Sequence, residues 1–270
     1  DAQIAFEKAK EYSRNIIVEQ QLVGDDYRAL VVNNRLIAVA KRVPAHVIGD
    51  GKKTIQELID ETNSDSRRGY GHENVLTQID VDGQTLRCIK HSGYELDSVL
   101  PEGKLLHLKT TANISTGGTA IDVTDEVHPE NVFLFERIAR IIGLDVAGVD
   151  VIAPNVSETL SESGGGIIEV NAAPGFRMHL APSEGIGRNV AEHVIEMLFP
   201  QGTPTRIPII AVTGTNGKTT TTRLIAHIFK NSGKTVGFTT TDGTYIGNQK
   251  IVSGDNTGPV LAQLVLTDPT

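Results

Sequence analysis

The sequence predicts an α+β domain followed by the beginning of an α/β domain. Within the first 200 residues, strand patterns arrive as hairpins with helical patterns between them, which favours a largely antiparallel sheet. The stretch 201–208, QGTPTRIP, then interrupts the pattern with prolines, a glycine and threonines. After it come an apolar run, a glycine turn and a helix, as in parallel α/β folds. We therefore expect domains at 1–200 and 209–270, joined by a linker at 201–208.

The composition argues against several classes of protein. The 270 residues are 39% hydrophobic and 21% charged, with no apolar run of membrane-spanning length and no secretory leader, so we expect a cytoplasmic protein. A net charge of -8 argues against a nucleic-acid partner. The single cysteine, Cys88 in TLRCIKH, cannot form an internal disulfide, and we expect a buried, inert thiol in a strand-like setting.

The individual elements follow from periodicity and turn chemistry. Apolar spacing typical of helices occurs in AQIAFEKAKEYS, TIQELIDETN, ENVFLFERIARIIG and residues 189–199. NIIVEQQL reads as a strand, and DYRALVVNNRLIAVAKRV reads as a hairpin that turns at Asn33 and Asn34. VAGVDVIA and GIIEVN are short apolar strands.

The segment GTNGKTTTT, residues 214–222, predicts a phosphate-binding loop. The apolar run Ile207–Val212 suits a buried strand, and the glycines after it let backbone amides face an anion. Lys218 would neutralise terminal phosphates, and the Thr219 hydroxyl would ligate Mg²⁺. The helix that follows should pack one face on the sheet through Leu224, Ile225, Ile228 and Phe229. The candidate nucleotide-binding residues are Gly214, Thr215, Asn216, Gly217, Lys218, Thr219 and Thr220.

Two features of this loop leave an alternative open. Val212 stands where the usual GxxxxGK[ST] pattern has its first glycine, so a structural turn is the competing interpretation. A second glycine-lysine segment, GDGKKT at 49–54, invites the same comparison. There, Thr54 and Glu57 form a T-x-x-E capping box, so a turn followed by a helix cap is the better interpretation.

A second constellation predicts a divalent-metal site in the first domain. Asp150 lies on one strand, while Glu169 and Asn171, two residues apart, share one face of another. If the polar loop between these strands turns the chain back, the strands pair antiparallel and the three oxygen ligands meet. Two carboxylates and an amide suit Mg²⁺. The alternative is a solvated face of an edge strand, against which the apolar neighbours Val149, Val151, Ile167, Ile168 and Val170 argue by predicting burial.

These residues carry a resemblance to known families. VEQQLVGDDYRAL, VAGVDVIAP and IIEVNAAPGFRMHLAPSEG resemble the later two thirds of an ATP-grasp ligase. AVTGTNGKTTTTRLIAHIF resembles the ATP loop of Mur ligases. Their order on one chain, together with LHLKTTANISTGGTAIDVTDEVHPEN, is similar to the cyanophycin synthetase family, and the resemblance covers essentially the whole chain. It implies an α+β ATP-grasp domain followed by the beginning of an α/β P-loop Mur ligase-like central domain.

The resemblance assigns roles to particular residues. Glu19 and Leu22 match the segment that holds adenine, Asp26 an acidic ribose ligand, and Lys109 a phosphate-contacting lysine. It also implies that Asp150, Glu169 and Asn171 bind Mg²⁺.

Further residues match the acceptor region of related ligases. Arg177 and Ser183 are candidates for gripping a substrate carboxylate, with a surface arginine and a turn serine as the alternatives. Arg28 faces substrate or phosphate, or forms an ordinary strand salt bridge. With Lys218, Arg28 and Arg177 are the catalytic candidates. D-alanine ligases carry an arginine two residues before the metal aspartate, where this chain has Gly148, so the oxyanion-stabilising group is left open.

The family's chemistry implies two ATP- and Mg²⁺-dependent sites. Each would convert a carboxylate to an acyl phosphate that an amine then attacks. The ATP-grasp site would add L-aspartate to a growing cyanophycin chain, and the Mur-like site would add L-arginine to that aspartate's side chain. The family also implies a homo-oligomer. Arg67 and Arg68 would steer acidic intermediates or lie in a solvated loop.

By the same resemblance, we expect the chain to be a piece of a longer enzyme and to turn over slowly or not at all alone. Two other functions stay open: a related ligase that joins different amino acids, and a non-catalytic nucleotide-binding module.

Overall fold

A computed structural model of the chain describes residues 2–71, 74–203 and 206–270. It divides into two compact units, Asp1–Thr203 and Pro204–Thr270. The division falls inside the stretch predicted as a linker, of which Pro204 and Thr205 lie outside the described residues. No helix in the described ranges is both long enough and apolar enough to cross a membrane.

The first unit is built on a five-stranded antiparallel sheet with the order β7-β2-β1-β8-β9. The strands of this unit are β1 Asp25–Val32, β2 Arg35–Val43, β3 His46–Ile48, β4 Arg68–Gly69, β5 Leu76–Thr77, β6 Leu105–His107, β7 Thr119–Asp122, β8 Val146–Ala153 and β9 Gly166–Asn171. Its helices are α1 Ala2–Lys10, α2 Ile55–Asn63, α3 Gly83–His91, α4 Pro129–Ile142, α5 Leu160–Ser163, α6 Arg177–Leu180 and α7 Val190–Leu198.

The predicted β1–β2 hairpin is confirmed. Asn33 and Asn34, between the strands, have φ of 49° and 61°. Two consecutive left-handed residues are what a type I′ turn needs, and asparagine tolerates them better than most residues. The strand predicted for NIIVEQQL is wrong: these residues adopt no regular structure, and most are exposed. An apolar run becomes a strand only where a neighbouring strand accepts its hydrogen bonds.

Apolar residues cover both faces of the sheet. On one face, α4 buries Phe135 and Ala139 against Tyr27, Val149 and Val151. On the other, α7 packs Val190 against Leu30 and Ala38, and α6 covers β2 and β7. The helices predicted for α1, α2, α4 and α7 are present, and Gly143, with φ of 78°, ends α4.

A second core lies beside the sheet, where α2 and α3 pack on the β3–β6 pair. The capping box expected for GDGKKT is confirmed, because the Thr54 side chain accepts from the Glu57 amide and the Glu57 carboxylate accepts from the Thr54 amide. The strand-like setting expected for Cys88 is wrong. This cysteine lies half-buried on α3, which begins at the Asp82 cap, a start signal that outweighs the short apolar run around it.

The second unit contains α8 Lys218–Asn231, β10 Gly237–Thr240, β11 Gly243–Ile246, β12 Gln249–Ser253 and α9 Pro259–Leu266. Its three strands form an antiparallel meander, so the parallel sheet expected here is not what the described residues form. Ile207–Val212 is likewise not a strand. Ile207, Ile209 and Ile210 are 66%, 72% and 53% exposed, since no described strand pairs with this run.

Helix α8 also packs through a different face from the one predicted. Leu224 and Ile228 are exposed, while Ala226 is buried. The side of α8 next to the meander carries Arg223, which bonds to Asp242, and Lys230, which lies 5.4 Å from the Phe238 ring centroid. Periodicity identifies a helical face that is apolar, but the neighbouring strands decide which face is covered.

Two phenylalanines on α4 provide a matched test of this packing. Phe135 is 0% exposed and Phe133 is 61% exposed. We expect Phe135→Ala to lower the free energy of unfolding by about 3–5 kcal/mol, because it leaves a cavity. Phe133→Ala should change it by less than about 0.5 kcal/mol. The chain has no tryptophan, so urea unfolding followed by far-UV circular dichroism is the suitable measurement. Equal effects of the two changes would contradict the assigned core.

Candidate active site

A row of side chains runs across all five strands of the main sheet on one face. Asp150 is the register partner of Glu169 on β9 and of Arg28 on β1. Arg28 in turn is opposite Ala40 on β2, and Ala40 is opposite Asp122 on β7. Directly opposite residues in antiparallel strands project to the same face. The row therefore reads Glu169, Asp150, Arg28, Ala40, Asp122.

Asp150 is the buried centre of this row. Arg28 donates to it through both Nε and Nη2, and the Arg42 Nη2 donates to Asp150 Oδ2 at 3.1 Å. Arg42 also donates through Nε to Asp26 Oδ1 at 2.7 Å. A buried carboxylate is tolerated when it is paired and hydrogen-bonded in this way. Burial raises the pKa of Asp26, although the neighbouring Arg42 acts in the opposite direction.

The residues predicted to hold Mg²⁺ share this face. The Asn171 amide nitrogen donates to Glu169 Oε1 at 2.9 Å, which leaves the amide oxygen of Asn171 turned to other partners. Two carboxylates and an amide oxygen fit the ligand preference of Mg²⁺. Within the described ranges, no group of three or more His, Cys, Asp or Glu side chains is arranged to hold a metal. Binding by Asp150, Glu169 and Asn171 stays a prediction.

The burial expected for strand β9 is wrong. Ile167 and Ile168 are 37% and 57% exposed, and Glu169 is exposed as well, because β9 is the edge strand of the sheet. Val149 and Val151, on the neighbouring β8, are fully buried as expected. Apolar residues alone do not distinguish an inner strand from an edge strand, since the order of strands is a property of the whole sheet.

Gly148 makes room for Arg28. A Cβ at residue 148 would lie 2.6 Å from Pro174 Cβ and 3.1 Å from Arg28 Nη1. Atoms that close cannot coexist without a shift. The absence of a side chain at Gly148 therefore lets the Arg28 guanidinium, which comes from the adjacent strand, lie beside Asp150.

The residues predicted to bind the nucleotide are distributed around the first unit. Glu19 is exposed in an irregular segment, whereas Leu22 packs against the start of β9, 2.7 Å from a Cβ built at Gly166. Lys109 is 3% exposed, and its ammonium lies 2.7 Å from Asp82 Oδ2. This ion pair holds the pKa of Asp82 below its usual range. Contact of Lys109 with a phosphate would require it to leave or share Asp82.

The segment from α6 to residue 188 lies against β7. Arg177 Nη1 donates to the Asn74 carbonyl at 3.0 Å, and the Ser183 amide donates to the Ala120 carbonyl at 2.7 Å. The Ser183 hydroxyl and both ring nitrogens of His179 are buried and have no hydrogen-bond partner among the described residues. Burial, and next the nearby Arg28, lowers the pKa of His179 to about 4.

Sequence reasoning did not find Arg42 or His179. Arg42 ends a strand in a pattern typical of surface residues, and its pairing with Asp150 depends on the register of three strands. His179 lies within the RMHL segment, where no metal-ligand spacing marks it. Neither residue has a local sequence feature that identifies its role.

In the second unit, the GTNGKTT segment forms a loop that leads into α8. Gly214 and Gly217 have φ of 137° and 78°, a region that favours glycine. No side chain caps α8, so its first amides face outward. Lys218 Nζ donates to the Gly214 carbonyl at 2.6 Å, and Thr219 Oγ1 lies 3.2 Å from Thr241 Oγ1. Free amides, a lysine and a hydroxyl at a helix N-terminus are the features of an anion site.

The sequence of the chain matches known proteins along its full length. It is 58% identical to the cyanophycin synthetase of Trichormus variabilis over 270 residues and 59% identical to that of Synechocystis over 267. The whole chain matches the cyanophycin synthetase family. Residues 212–266 also match the model of the Mur ligase middle domain. The chain spans 30% of the length of these cyanophycin synthetases.

The first unit resembles a second group of enzymes. The glutathione biosynthesis bifunctional protein of Mannheimia succiniciproducens is 39% identical over 201 residues, 74% of this chain and 26% of that protein. The crystal structure of a bifunctional glutathione synthetase from Pasteurella multocida superposes with a TM-score of 0.59 at 37% identity, covering 67% of this chain and 24% of that one. The cyanophycin synthetases, by contrast, match both units in one chain.

The low pKa of His179 predicts a pH dependence of stability. The folded chain keeps this imidazole neutral down to about pH 4, whereas in the unfolded chain it takes up a proton near pH 6.5. As the pH falls through this window, the free energy of unfolding should drop by up to about 1.4 kcal/mol per pH unit. His179→Leu should flatten this part of the profile, and the exposed-site control His193→Leu should not. Urea titrations between pH 4 and 7 measure it, and parallel profiles for all three proteins would contradict it.

Proposed function

We propose that the chain supplies parts of two ATP-dependent sites of a cyanophycin synthetase. The observation that carries the proposal is the identity of 58% across both units, which pairs a glutathione-synthetase-like unit with a Mur ligase middle domain match. In this proposal the first unit is the ATP-grasp portion and adds L-aspartate to the polymer backbone. The second begins the Mur-like portion and adds L-arginine to the aspartate side chain. The protein would act in the cytoplasm as a homo-oligomer.

Each site would make an amide in two steps. A substrate carboxylate oxygen takes the γ-phosphoryl group of ATP, which releases ADP and gives an acyl phosphate. The amine then attacks the acyl carbon, phosphate leaves with the bonding electrons, and the amine gives up a proton. Bound Mg²⁺ would neutralise charge on the phosphate oxygens.

In the first unit, charge and position assign the roles. Asp150, Glu169 and Asn171 would hold the metal ion beside the nucleotide phosphates. Arg28 is the cation next to that set, and we propose that it stabilises the negative charge that develops on the acyl phosphate. Gly148 occupies the position where D-alanine ligases carry an arginine, and Arg28 fills the same space from the neighbouring strand.

In the second unit, the loop at 214–220 would hold the phosphates of the second ATP. The outward amides at the start of α8 and the Lys218 ammonium supply the positive field. Lys218 now donates to two carbonyls of its own loop, and it would exchange them for phosphate oxygens. Thr219 would contribute its hydroxyl to the metal.

A related ligase that joins other amino acids is the second candidate. The match at 39% to a glutathione biosynthesis protein covers the first unit, and the same site chemistry suits any carboxylate and amine pair. Amino-acid dependence distinguishes the two candidates.

The function is tested by omission, in the protein translated from its complete natural reading frame. ADP release is followed with ATP, Mg²⁺ and a short aspartate-arginine primer, leaving out each amino acid in turn. We expect growth to stall in either omission. Lys218→Ala should block arginine addition by at least 100-fold while sparing one aspartate addition, because only the second site loses its phosphate ligand. Lys52→Ala, in the GDGKKT turn, is the matched control and should leave both additions intact. ADP release that neither amino acid stimulates would exclude the polymer.

The role of Arg28 is tested through its neighbour. Gly148→Ala should push the Arg28 guanidinium away from Asp150 and reduce the rate of aspartate addition at least tenfold, while arginine addition is unchanged. Gly83→Ala is the control, since its Cβ would meet only the flexible end of Arg87 at 3.4 Å. Full aspartate addition by Gly148→Ala would exclude Arg28 as the charge-stabilising group.

A further inference from the structure

His179 and Ser183 are two buried polar side chains that the proposed mechanism does not use. His179 is 2% exposed, and neither of its ring nitrogens has a partner among the described residues. The Ser183 hydroxyl is in the same situation. Buried polar groups without partners cost free energy, and native proteins satisfy nearly all of them. Two of them on one short segment indicate that a ligand completes their hydrogen bonds.

The fold places both groups beside the polar row. Helix α6 packs on β2 and β7, and His179 interacts electrostatically with Arg28 on β1 and Asp122 on β7. The imidazole therefore lies over the stretch of β2 at Ala40, the one small residue of the row. Ser183 is anchored to the neighbouring β7 through its amide bond to Ala120.

The charges around this position select an anion. The Ser183 hydroxyl and a neutral imidazole each offer one donor, and Arg28 is the nearest cation named above. Asp122 does not supply a free negative charge, because Arg188 donates to it through Nε and Nη2, the latter at 2.8 Å. The arrangement therefore favours a carboxylate over an ammonium group.

Position along the row distinguishes the two carboxylate substrates. Strands lie about 4.8 Å apart, so the space over Ala40 is roughly 10 Å from Asp150. The carboxylate that is phosphorylated must lie at the metal end, beside Asp150 and Glu169. The attacking amine must approach the acyl carbon from the side away from the leaving phosphate, which is the side of Ala40.

We propose that His179 and Ser183 bind a carboxylate of the incoming amino acid, L-aspartate, at the first site. This inference rests on the proposed function and adds the residues that select the amine substrate. His179 acts as a neutral hydrogen-bond donor, and Ser183 supplies the second donor.

The test is a set of Michaelis constants in the protein translated from its complete reading frame. His179→Leu and Ser183→Ala should each raise the KM for aspartate at least tenfold and leave the KM values for ATP and primer within about threefold, since a hydrogen bond to a charged group is lost. His179→Gln keeps a neutral donor and should recover most of the loss. His193→Leu, an exposed histidine on α7, is the matched control.

Other outcomes overturn the inference. An unchanged KM for aspartate in His179→Leu, with or without a change in stability, would make the histidine structural only. A rise in the KM for primer in place of aspartate would put the wrong substrate at this position.

A binding measurement separates this inference from the proposed function. If the wild-type protein does not turn over, equilibrium dialysis of labelled L-aspartate is carried out with Mg²⁺, a non-hydrolysable ATP analogue and primer. Saturable binding that His179→Leu weakens at least tenfold, and that L-aspartic acid diamide does not displace, would support the subsite although the ligase function had failed. No wild-type binding in the same assay would overturn both.

Discussion

The first unit depends on the burial of one carboxylate. Asp150 lies in the middle of the sheet and is held by Arg28 and Arg42, which come from the two strands on one side of it. Removing either arginine would leave a buried charge without full compensation, which is far more costly than losing a surface ion pair. With Asp26 and Glu169 included, the cluster carries three carboxylates against two guanidinium groups. The surplus negative charge lies at the β9 edge, where a divalent cation would reverse its sign.

The two glycine-lysine segments show what makes a loop available to phosphate. In GDGKKT, the Asp50 carboxylate accepts from the amides of Lys52 and Lys53, and Glu57 accepts from Thr54. Carboxylates of the protein therefore already occupy the positions of an anion. In GTNGKTT, no side chain caps the helix. The composition of the two loops is similar, but only the second leaves its amides free of internal acceptors, so the difference in expected function comes from neighbouring carboxylates.

Much of the fold could be predicted from local signals, and the failures share a cause. The Asn33–Asn34 turn, the Thr54 cap and the glycine end of α4 each depend on a few adjacent residues. Ile207–Val212 and the burial of β9 depend on which strands lie alongside, and sequence periodicity contains no such information. In the site, Asp150 and Glu169 followed from spacing on two strands that pair directly. Arg42 and His179 did not, because their positions require the register of three or more strands and the path of α6.

The polar row joins a fixed end to an open end. At the β7 end, His179 and Ser183 are buried, and Asp122 is held by Arg188, so these groups are already positioned before any substrate arrives. At the other end, Glu169 lies exposed on an edge strand, where water screens its charge when no cation is bound. Metal and nucleotide can then exchange at the edge without exposing the core. Since the buried end keeps its geometry through that exchange, selection of the amine is structurally separate from nucleotide turnover.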